Sequence, residues 1–196
     1  SHIDGTRHRL IPEDAIRIQQ ELGADIIMAF DEATGDDVSY AYAKEAMERT
    51  HKCAKRCIVQ NLNSKTQIAK RQLLFGIVQG GRFKKLRKES VQAITSMDFD
   101  GIAIGGESIG YKMKRTGELL TYLEPYLPKE KPIYTMGVGF SPTDFFAVVR
   151  HGVDMFDCVA PARLARHGNL YCRVAGPKKK YRINLLNASF ASDEQP

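Results

Sequence analysis

Residues 73–105 read LLFGIVQGGRFKKLRKESVQAITSMDFDGIAIG, and this stretch decides the fold. Two short runs, Leu73–Gln79 and Gly101–Gly105, are dominated by apolar residues and predict strands. Between them, Phe83–Met97 has the length and the polar content of a helix. A strand, a helix and a second strand in this order predict two parallel strands with the helix packed outside them.

The same alternation continues on both sides of this unit. Further strands are predicted at Asp25–Phe30, Ile133–Val138 and Met155–Val159. Further helices are predicted at Pro12–Leu22, Val38–Asn61, Lys112–Leu123 and Ser141–His151. In the last helix, Ser141 and Pro142 are the expected N-cap and first helical residue. Beyond it, Leu170–Val174 and Tyr181–Asn184 predict a β-hairpin.

The fold class follows from counting these units. About five βα units are visible, whereas a (β/α)8 barrel has eight and typically about 250 residues. We therefore predict an α/β fold that is the C-terminal part of a (β/α)8 TIM-type barrel, cut at both ends, with a late β-hairpin. Residues 1–169 are expected to form the partial barrel, and residues 170–196 the hairpin and tail. An open, doubly wound sheet is the competing architecture.

Composition and charge restrict the class of protein. Of the 196 residues, 43% are hydrophobic and 27% are charged, which is typical of a soluble globular protein. No apolar run is long enough to span a membrane, and no signal-peptide pattern is present, so a cytoplasmic location is expected. The net charge of +6 suits a polyanionic partner and is equally compatible with a generally basic surface.

Cysteine and histidine spacing predicts no metal site in this chain. None of the four cysteines forms a CxxC pair, and the five histidines lack metal-ligand spacing with cysteines or carboxylates. We interpret the cysteines as reduced thiols. A disulfide or a zinc site is the minority interpretation.

Polar residues and glycines collect where the predicted strands end, and these are Asp31, Gln79, Gly105, Gly106, Met136 and Asp157. Ligands of parallel α/β proteins gather at the carboxyl ends of strands. A carboxylate there can accept from N1 and N2 of guanine, a glutamine amide can donate to O6, and glycines allow close approach of the backbone. Asp31 could instead cap a helix, and Gly105-Gly106 could be a plain tight turn.

Asp157 is the candidate nucleophile, because it ends an apolar run and two arginines follow it. Phosphate contacts would suit Arg163 and Arg166. Lys178 and Lys179 belong to a basic run that is more often a solvated hairpin, but beside a nucleic-acid site it could touch the backbone.

Several blocks of the sequence resemble the tRNA-guanine transglycosylases of the bacterial, queuosine-forming type. They are SHIDGTRH (1–8), ADIIMAFDE (24–32), AMERT (46–50), AKR (54–56), LFGIVQGG (74–81), FDGIAIGG (99–106), YTMGVG (134–139) and GVDMFDCVAPARLARHGNLY (152–171). They occur in the family order along nearly the whole chain. The resemblance implies a (β/α)8 barrel with a zinc-binding insertion and identifies this chain as strands four to eight.

The resemblance also implies an activity and a set of residue roles. Asp157 would attack C1′ of the guanosine at the anticodon wobble position of tRNA. A 7-deazaguanine base, preQ1 or queuine, would then displace the enzyme. Asp31, Gln79, Gly106 and Met136 match base-binding positions, and Arg163 and Arg166 match positions near the RNA backbone.

The resemblance is incomplete in places. The family's second catalytic aspartate would lie upstream, and its zinc ligands downstream of Pro196, so the chain alone is expected to be inactive or nearly so. Zinc and a homodimer are expected of the intact enzyme, without an organic cofactor. The chain departs from the usual family residues at Ala33, Glu107, Tyr111 and Phe140.

Two other functions are compatible with these residues. One is a non-catalytic tRNA-binding subunit of a heterodimeric transglycosylase, which would be expected to lack the nucleophile. The other is an unrelated barrel enzyme acting on a free purine, for which tRNA would not compete.

Overall fold

The computed structural model describes residues 3–63, 71–106, 109, 112–175, 178 and 181–191. Its strands are β1 Ile26–Met28, β2 Leu73–Val78, β3 Gly101–Ile104, β4 Ile133–Thr135, β5 Met155–Phe156, β6 Asn169–Tyr171 and β7 Arg182–Asn184. Its α-helices are α1 Pro12–Leu22, α2 Tyr40–Asn63, α3 Lys84–Thr95, α4 Met113–Leu123, α5 Thr143–Val149 and α6 Ala160–Ala165. Short 3-10 helices cover Glu124–Tyr126, Arg173–Ala175 and Ala188–Phe190.

Strands β1 to β5 form one parallel sheet in sequential order. A doubly wound sheet would reverse its strand order at a switch point, and this order has no reversal. The arrangement is that of a five-stranded half-barrel, which confirms the predicted fold class. Strands β6 and β7 pair antiparallel, as the predicted hairpin requires.

The two faces of the sheet differ. On the outer face, Leu74, Ile102 and Ile133 join one apolar core with side chains of α1 to α5. Gly76 also faces this layer, since a Cβ there would lie 2.7 Å from Ile94 Cγ2 of α3. Residues of the opposite parity face the inside of the half-barrel, where the Phe75 ring fills the space beside Gly101.

Element boundaries differ from the sequence predictions at several points. Strand β5 ends at Phe156 rather than Val159, because Ala160 already begins α6, a short helix that the sequence analysis missed. Helix α5 begins at Thr143, so Ser141 is not its N-cap and Pro142 is not its first residue. The Ser141 backbone amide instead donates to the Asp144 carboxylate at 2.8 Å.

Candidate active site

Four of the predicted site residues occupy equivalent positions on neighbouring strands. The register aligns Val78 with Ile104, Ile104 with Thr135, and Thr135 with Phe156. Each of these is followed directly by a predicted site residue, and in strand order these are Gln79, Gly105, Met136 and Asp157. Because aligned residues of a parallel sheet point to the same face, the four form a row at the carboxyl edge of the half-barrel. We call these four the strand-end row.

Asp157 lies at the β5 end of the strand-end row and is held through one oxygen. Its Oδ1 accepts hydrogen bonds from the Tyr134 hydroxyl at 2.9 Å and the Gly137 backbone amide at 3.0 Å. Within the described residues, no hydrogen bond reaches Oδ2. The carboxylate is exposed and keeps one oxygen available to an electrophile.

The phenol that holds Asp157 is kept neutral by its surroundings. Burial of the Tyr134 hydroxyl is the largest cause that raises its pKa, and its hydrogen bond to the Asp157 carboxylate adds to the effect. A neutral phenol remains a donor at any physiological pH. Asp157 therefore has a permanent hydrogen-bond donor.

Asp31 and Gln79 are joined at the other end of the row. The Gln79 amide donates to Asp31 Oδ2 at 2.6 Å, and the Gln79 side chain is buried. Its amide oxygen has no partner within the described residues. Burial raises the pKa of Asp31, while the bond from Gln79 opposes that rise. The pair thus combines a partly desolvated carboxylate with a buried amide that retains hydrogen-bonding capacity.

Asp31 is not a helix cap. Helix α2 begins only at Tyr40, and the Ser39 hydroxyl accepts from the Tyr42 amide at its start. The alternative interpretation offered for Asp31 is therefore wrong.

The Gln79 backbone is anchored from behind by two helices. Its amide donates to the Ser90 hydroxyl of α3 at 3.0 Å, and this hydroxyl lies 3.0 Å from His51 Nε2 of α2. Burial lowers the pKa of His51, so the neutral ring is favoured. The end of β2 is thereby fixed to the helical layer.

The glycines of β3 make room for neighbouring side chains. A Cβ at Gly105 would lie 2.6 Å from Gln79 Nε2, and one at Gly106 would collide with Arg87 Nη2. Gly106 also has φ +133°, a region that favours glycine. Gly105 is therefore more than a turn residue, because the glutamine amide occupies the place of its side chain.

Arg87, a buried residue of α3, stabilises the carboxyl edge of the sheet through hydrogen bonds. Its side chain is buried, and its guanidinium donates to the carbonyls of Gly81, Val78 and Gly105 at 2.8, 3.0 and 2.5 Å. Neither Arg87 nor Tyr134 was predicted from the sequence to be part of the site. Tyr134 could have been found, because it lies two residues before Met136 and so faces the same side of β4.

The predicted RNA-binding residues lie beyond the strand-end row. Arg163 and Arg166 are exposed at the end of α6, and neither makes an ion pair with a described residue. Lys178 is exposed, whereas Lys179 lies outside the described residues. All three described cations are thus accessible to a phosphate.

The positions that depart from the usual family residues are only partly described. Ala33 and Phe140 are exposed, and the Arg182 guanidinium lies over the Phe140 ring at 5.3 Å. Glu107 and Tyr111 lie outside the described residues.

Neither a metal-ligand cluster nor a membrane-spanning helix is present among the residues that the structure describes. Among the described residues, no group of three or more His, Cys, Asp or Glu side chains could hold a metal ion. The zinc implied by the resemblance therefore has no fitting ligand set in this part of the chain. None of the described helices has both the length and the apolar character that crossing a membrane requires.

Comparison with known proteins places this sequence in a family. The sequence model of the family described as queuine tRNA-ribosyltransferase matches residues 1–196. The chain belongs to this family. Proteins named queuine tRNA-ribosyltransferase are 48% identical in Herpetosiphon aurantiacus, 45% in Halothermothrix orenii and 44% in Natranaerobius thermophilus. Each alignment covers the whole chain and 47%, 49% and 50% of the relative, respectively.

The chain thus spans about half the length of the curated relatives that it matches. In this member of the queuine tRNA-ribosyltransferase family, strands β1 to β5 form one half-barrel sheet. The strand-end row and the Asp31–Gln79 pair both lie at the carboxyl edge of that sheet.

Proposed function

We propose that this chain carries the nucleophile and most of the base pocket of a tRNA-guanine transglycosylase. The full enzyme would exchange guanine at the anticodon wobble position for a 7-deazaguanine base, preQ1 or queuine. The observation that carries the proposal is the Asp157 carboxylate, held through Oδ1 with Oδ2 available, at the same sheet edge as Asp31 and Gln79. Family membership supplies the reaction class.

The reaction would proceed by two displacements at one carbon. Asp157 Oδ2 attacks C1′ of the ribose, the C1′–N9 bond breaks with its electron pair going to N9, and the departing guanine then takes up a proton from water at N9. The incoming base then attacks C1′ as it loses its N9 proton, and Asp157 leaves as a carboxylate. Two inversions give net retention, as in retaining glycosidases.

The Asp31–Gln79 pair would bind the base. Ionised Asp31 can accept from N1 and N2 of guanine, and the second hydrogen of the Gln79 amide can donate to O6. The backbone of Gly105 and Gly106 can approach the ring, and the half-buried Met136 side chain offers it an apolar contact. Because both guanine and a 7-deazaguanine share the N1, N2 and O6 edge, one pocket serves both steps.

The target base must leave its stack to reach this pocket. The exposed Arg163 and Arg166, with Lys178 and Lys179 on the hairpin, would contact the RNA backbone. Zinc and homodimerisation remain predictions from the resemblance, and no step above depends on them.

Covalent trapping tests the nucleophile. The full-length protein is mixed with tRNA without an incoming base and analysed on a denaturing gel. We expect an RNA–protein adduct that Asp157→Asn abolishes and Asp98→Asn retains, since Asp98 is an exposed loop residue. An adduct that persists in Asp157→Asn would overturn the assignment. RNA binding by the parent protein without any adduct would instead favour a non-catalytic binding subunit.

A second experiment separates an RNA substrate from a free purine. Replacing Arg163 and Arg166 together by glutamine is expected to weaken tRNA binding and to leave the binding of free guanine unchanged. If tRNA neither binds nor competes with guanine, the enzyme acts on a free purine and the proposal fails.

A further inference from the structure

A cavity of about 210 Å³ lies outside the strand-end row, between the beginning of α3 and the side of α4. Its wall includes Gly81, Arg82, Lys84, Arg87, Arg115 and Glu118. This cavity takes no part in the proposed reaction. We call it the α3–α4 cavity.

Positive charge dominates the α3–α4 cavity. Its wall contains four cationic side chains and one carboxylate, that of Glu118; the cations are Arg82, Lys84, Arg87 and Arg115. Arg115 also contacts Asp36 at 3.0 Å, but this carboxylate is shared with Lys112 at 2.8 Å. Arg82 and Lys84 make no ion pair with described residues and instead lie over the rings of Phe83 and Tyr122. The described carboxylates therefore leave an excess of positive charge.

Arg87 gives a second, independent indication that the cavity suits an anion. The side chain is only 2% exposed, and the hydrogen bonds from its Nε and Nη1 all go to backbone carbonyls. Among the described residues, no carboxylate forms an ion pair with it; burial lowers its pKa to about 10, and the charge of Asp36 opposes this only in part. A buried cation is costly unless it is paired, so a buried guanidinium with carbonyl partners alone favours an anion supplied by a ligand.

The backbone beside the cavity also suits an anion. Helix α3 has 12 residues, and Phe83 at its N-cap offers no side-chain hydrogen bond to the first amides. The N-terminal end of a helix carries partial positive charge and unpaired N–H groups. These two properties together make such ends common phosphate sites.

We propose that the α3–α4 cavity binds a phosphate-type oxyanion through Arg82, Lys84 and the buried Arg87. The source would be a phosphodiester of the bound RNA, a part of the inference that rests on the proposed function, or a free phosphate. Gly81 is two residues beyond Gln79, which is at most about 7 Å of extended chain. An RNA strand that places a base against Gln79 would thus have its own phosphates near the cavity.

The test compares two double variants of the full-length protein that lose the same charge. Arg82→Gln with Lys84→Gln removes two cations from the cavity wall and spares Arg87, whose loss could unfold the protein. Lys52→Gln with Lys85→Gln removes two exposed cations outside it. Phosphate binding is followed by calorimetry with inorganic phosphate, and RNA binding by titration with an anticodon stem-loop at several salt concentrations.

We expect the cavity variant to weaken phosphate binding at least fivefold and the matched control to change it less than twofold. If the source is RNA, the cavity variant also lowers the slope of log K against log salt by about 0.7 per lost phosphate contact. An unchanged RNA slope with lost phosphate binding assigns the site to free phosphate. Equal effects of both variants, or no effect of either on phosphate and RNA, would overturn the proposal. A parent protein that binds phosphate but no RNA would refute only the proposed function.

Discussion

Asp31 and Asp157 follow the two outer strands of the same sheet, yet their surroundings differ. Asp31 is partly buried and accepts one bond from a buried amide, whereas Asp157 is exposed and accepts two bonds on a single oxygen. Burial suits a group that must recognise a base, because hydrogen bonds are stronger away from water. Accessibility suits a group that must attack a carbon. The surroundings of the two side chains thus fit the two different roles proposed for them.

The hydroxyl of Tyr134 is expected to matter for the rate rather than for RNA affinity. Tyr134→Phe removes one of the two bonds on Asp157 Oδ1, and a bond to a charged group contributes roughly 1.5–3 kcal/mol. Single-turnover adduct formation should slow about tenfold or more, with the RNA dissociation constant unchanged. Tyr126→Phe, on the outer layer, serves as the control. A normal rate in Tyr134→Phe would show that the bond does not position the nucleophile.

Asp31 should reduce the stability of the fold at neutral pH. Its pKa in the folded protein is raised above the ordinary 3.8, so the folded state binds the proton more tightly than the unfolded state. The stability of the fold therefore falls as the pH rises from the ordinary pKa towards the raised pKa of folded Asp31. At higher pH, ionised Asp31 destabilises the fold. Asp31→Asn should raise the melting temperature at pH 7, with the gain disappearing below about pH 3.8. The measurement is thermal unfolding across pH, and a loss of stability at pH 7 would contradict this reasoning.

Among the secondary-structure elements, strand β2 and helix α3 pack very closely against each other. Gly76 of β2 faces Ile94 of α3 and the Phe99 ring, and Arg87 of α3 reaches back to the ends of β2 and β3. The helix thus both covers the sheet and fixes the edge where the site lies. Changes within this contact should affect stability and site geometry together.

Gly76→Ala tests how tightly these elements pack. The added Cβ would lie 2.7 Å from Ile94 Cγ2 and against the Phe99 ring, so the free energy of unfolding should fall by roughly 1–3 kcal/mol. Gly117→Ala is the matched control on α4. Its Cβ meets only the movable end of His151 at 3.2 Å, and alanine favours the helix by up to about 1 kcal/mol. Equal losses in urea unfolding of the two variants would contradict the packing argument.

Arg87→Met should weaken the contact between β2 and α3 by removing hydrogen bonds, whereas Gly76→Ala would weaken it by overpacking. Three backbone carbonyls lose a charged donor, so we expect the free energy of unfolding to fall by roughly 2–4 kcal/mol. Urea unfolding provides the measurement, with the exposed Lys85→Met as the control. A change below 0.5 kcal/mol, roughly the scatter of surface substitutions, would show that the three bonds contribute little.

At the scale of the whole molecule, the half-barrel has two open edges within the described residues. Strands β1 and β5 each pair on one side only. Exposed apolar side chains lie on the helices next to these edges, Leu22 at 78% exposure on α1 and Phe146 at 71% on α5. Unpaired edges and apolar patches favour association with further chain.

The 196-residue chain studied by itself should therefore self-associate at micromolar concentration. Phe146→Glu with Val149→Glu is expected to reduce this association, because both side chains are exposed on α5 beside the β5 edge. Val59→Glu on α2, also exposed but distant from β5 in the sheet order, should have less effect. Light scattering after size exclusion gives the mass, and a monomer at all concentrations would refute the expectation.

The order of the elements and the residues at the strand ends are encoded locally in the sequence. Apolar runs and helical stretches are local patterns, so the half-barrel and the positions of Gln79, Gly105 and Asp157 could be predicted from them. The ends of β5 and α5 could not, because Asp144 and the unpredicted α6 set those boundaries through contacts that compete with simple propensity.

The contacts that hold the site together arise from the packing of distant elements. The bond from Tyr134 to Asp157, the anchoring of Gln79 by Ser90 and the three carbonyls gathered by Arg87 join residues from different elements. Such contacts depend on the strand register and on the placement of each helix against the sheet. A one-residue shift of register would turn every side chain of a strand to the other face, and the row at the carboxyl edge would not form.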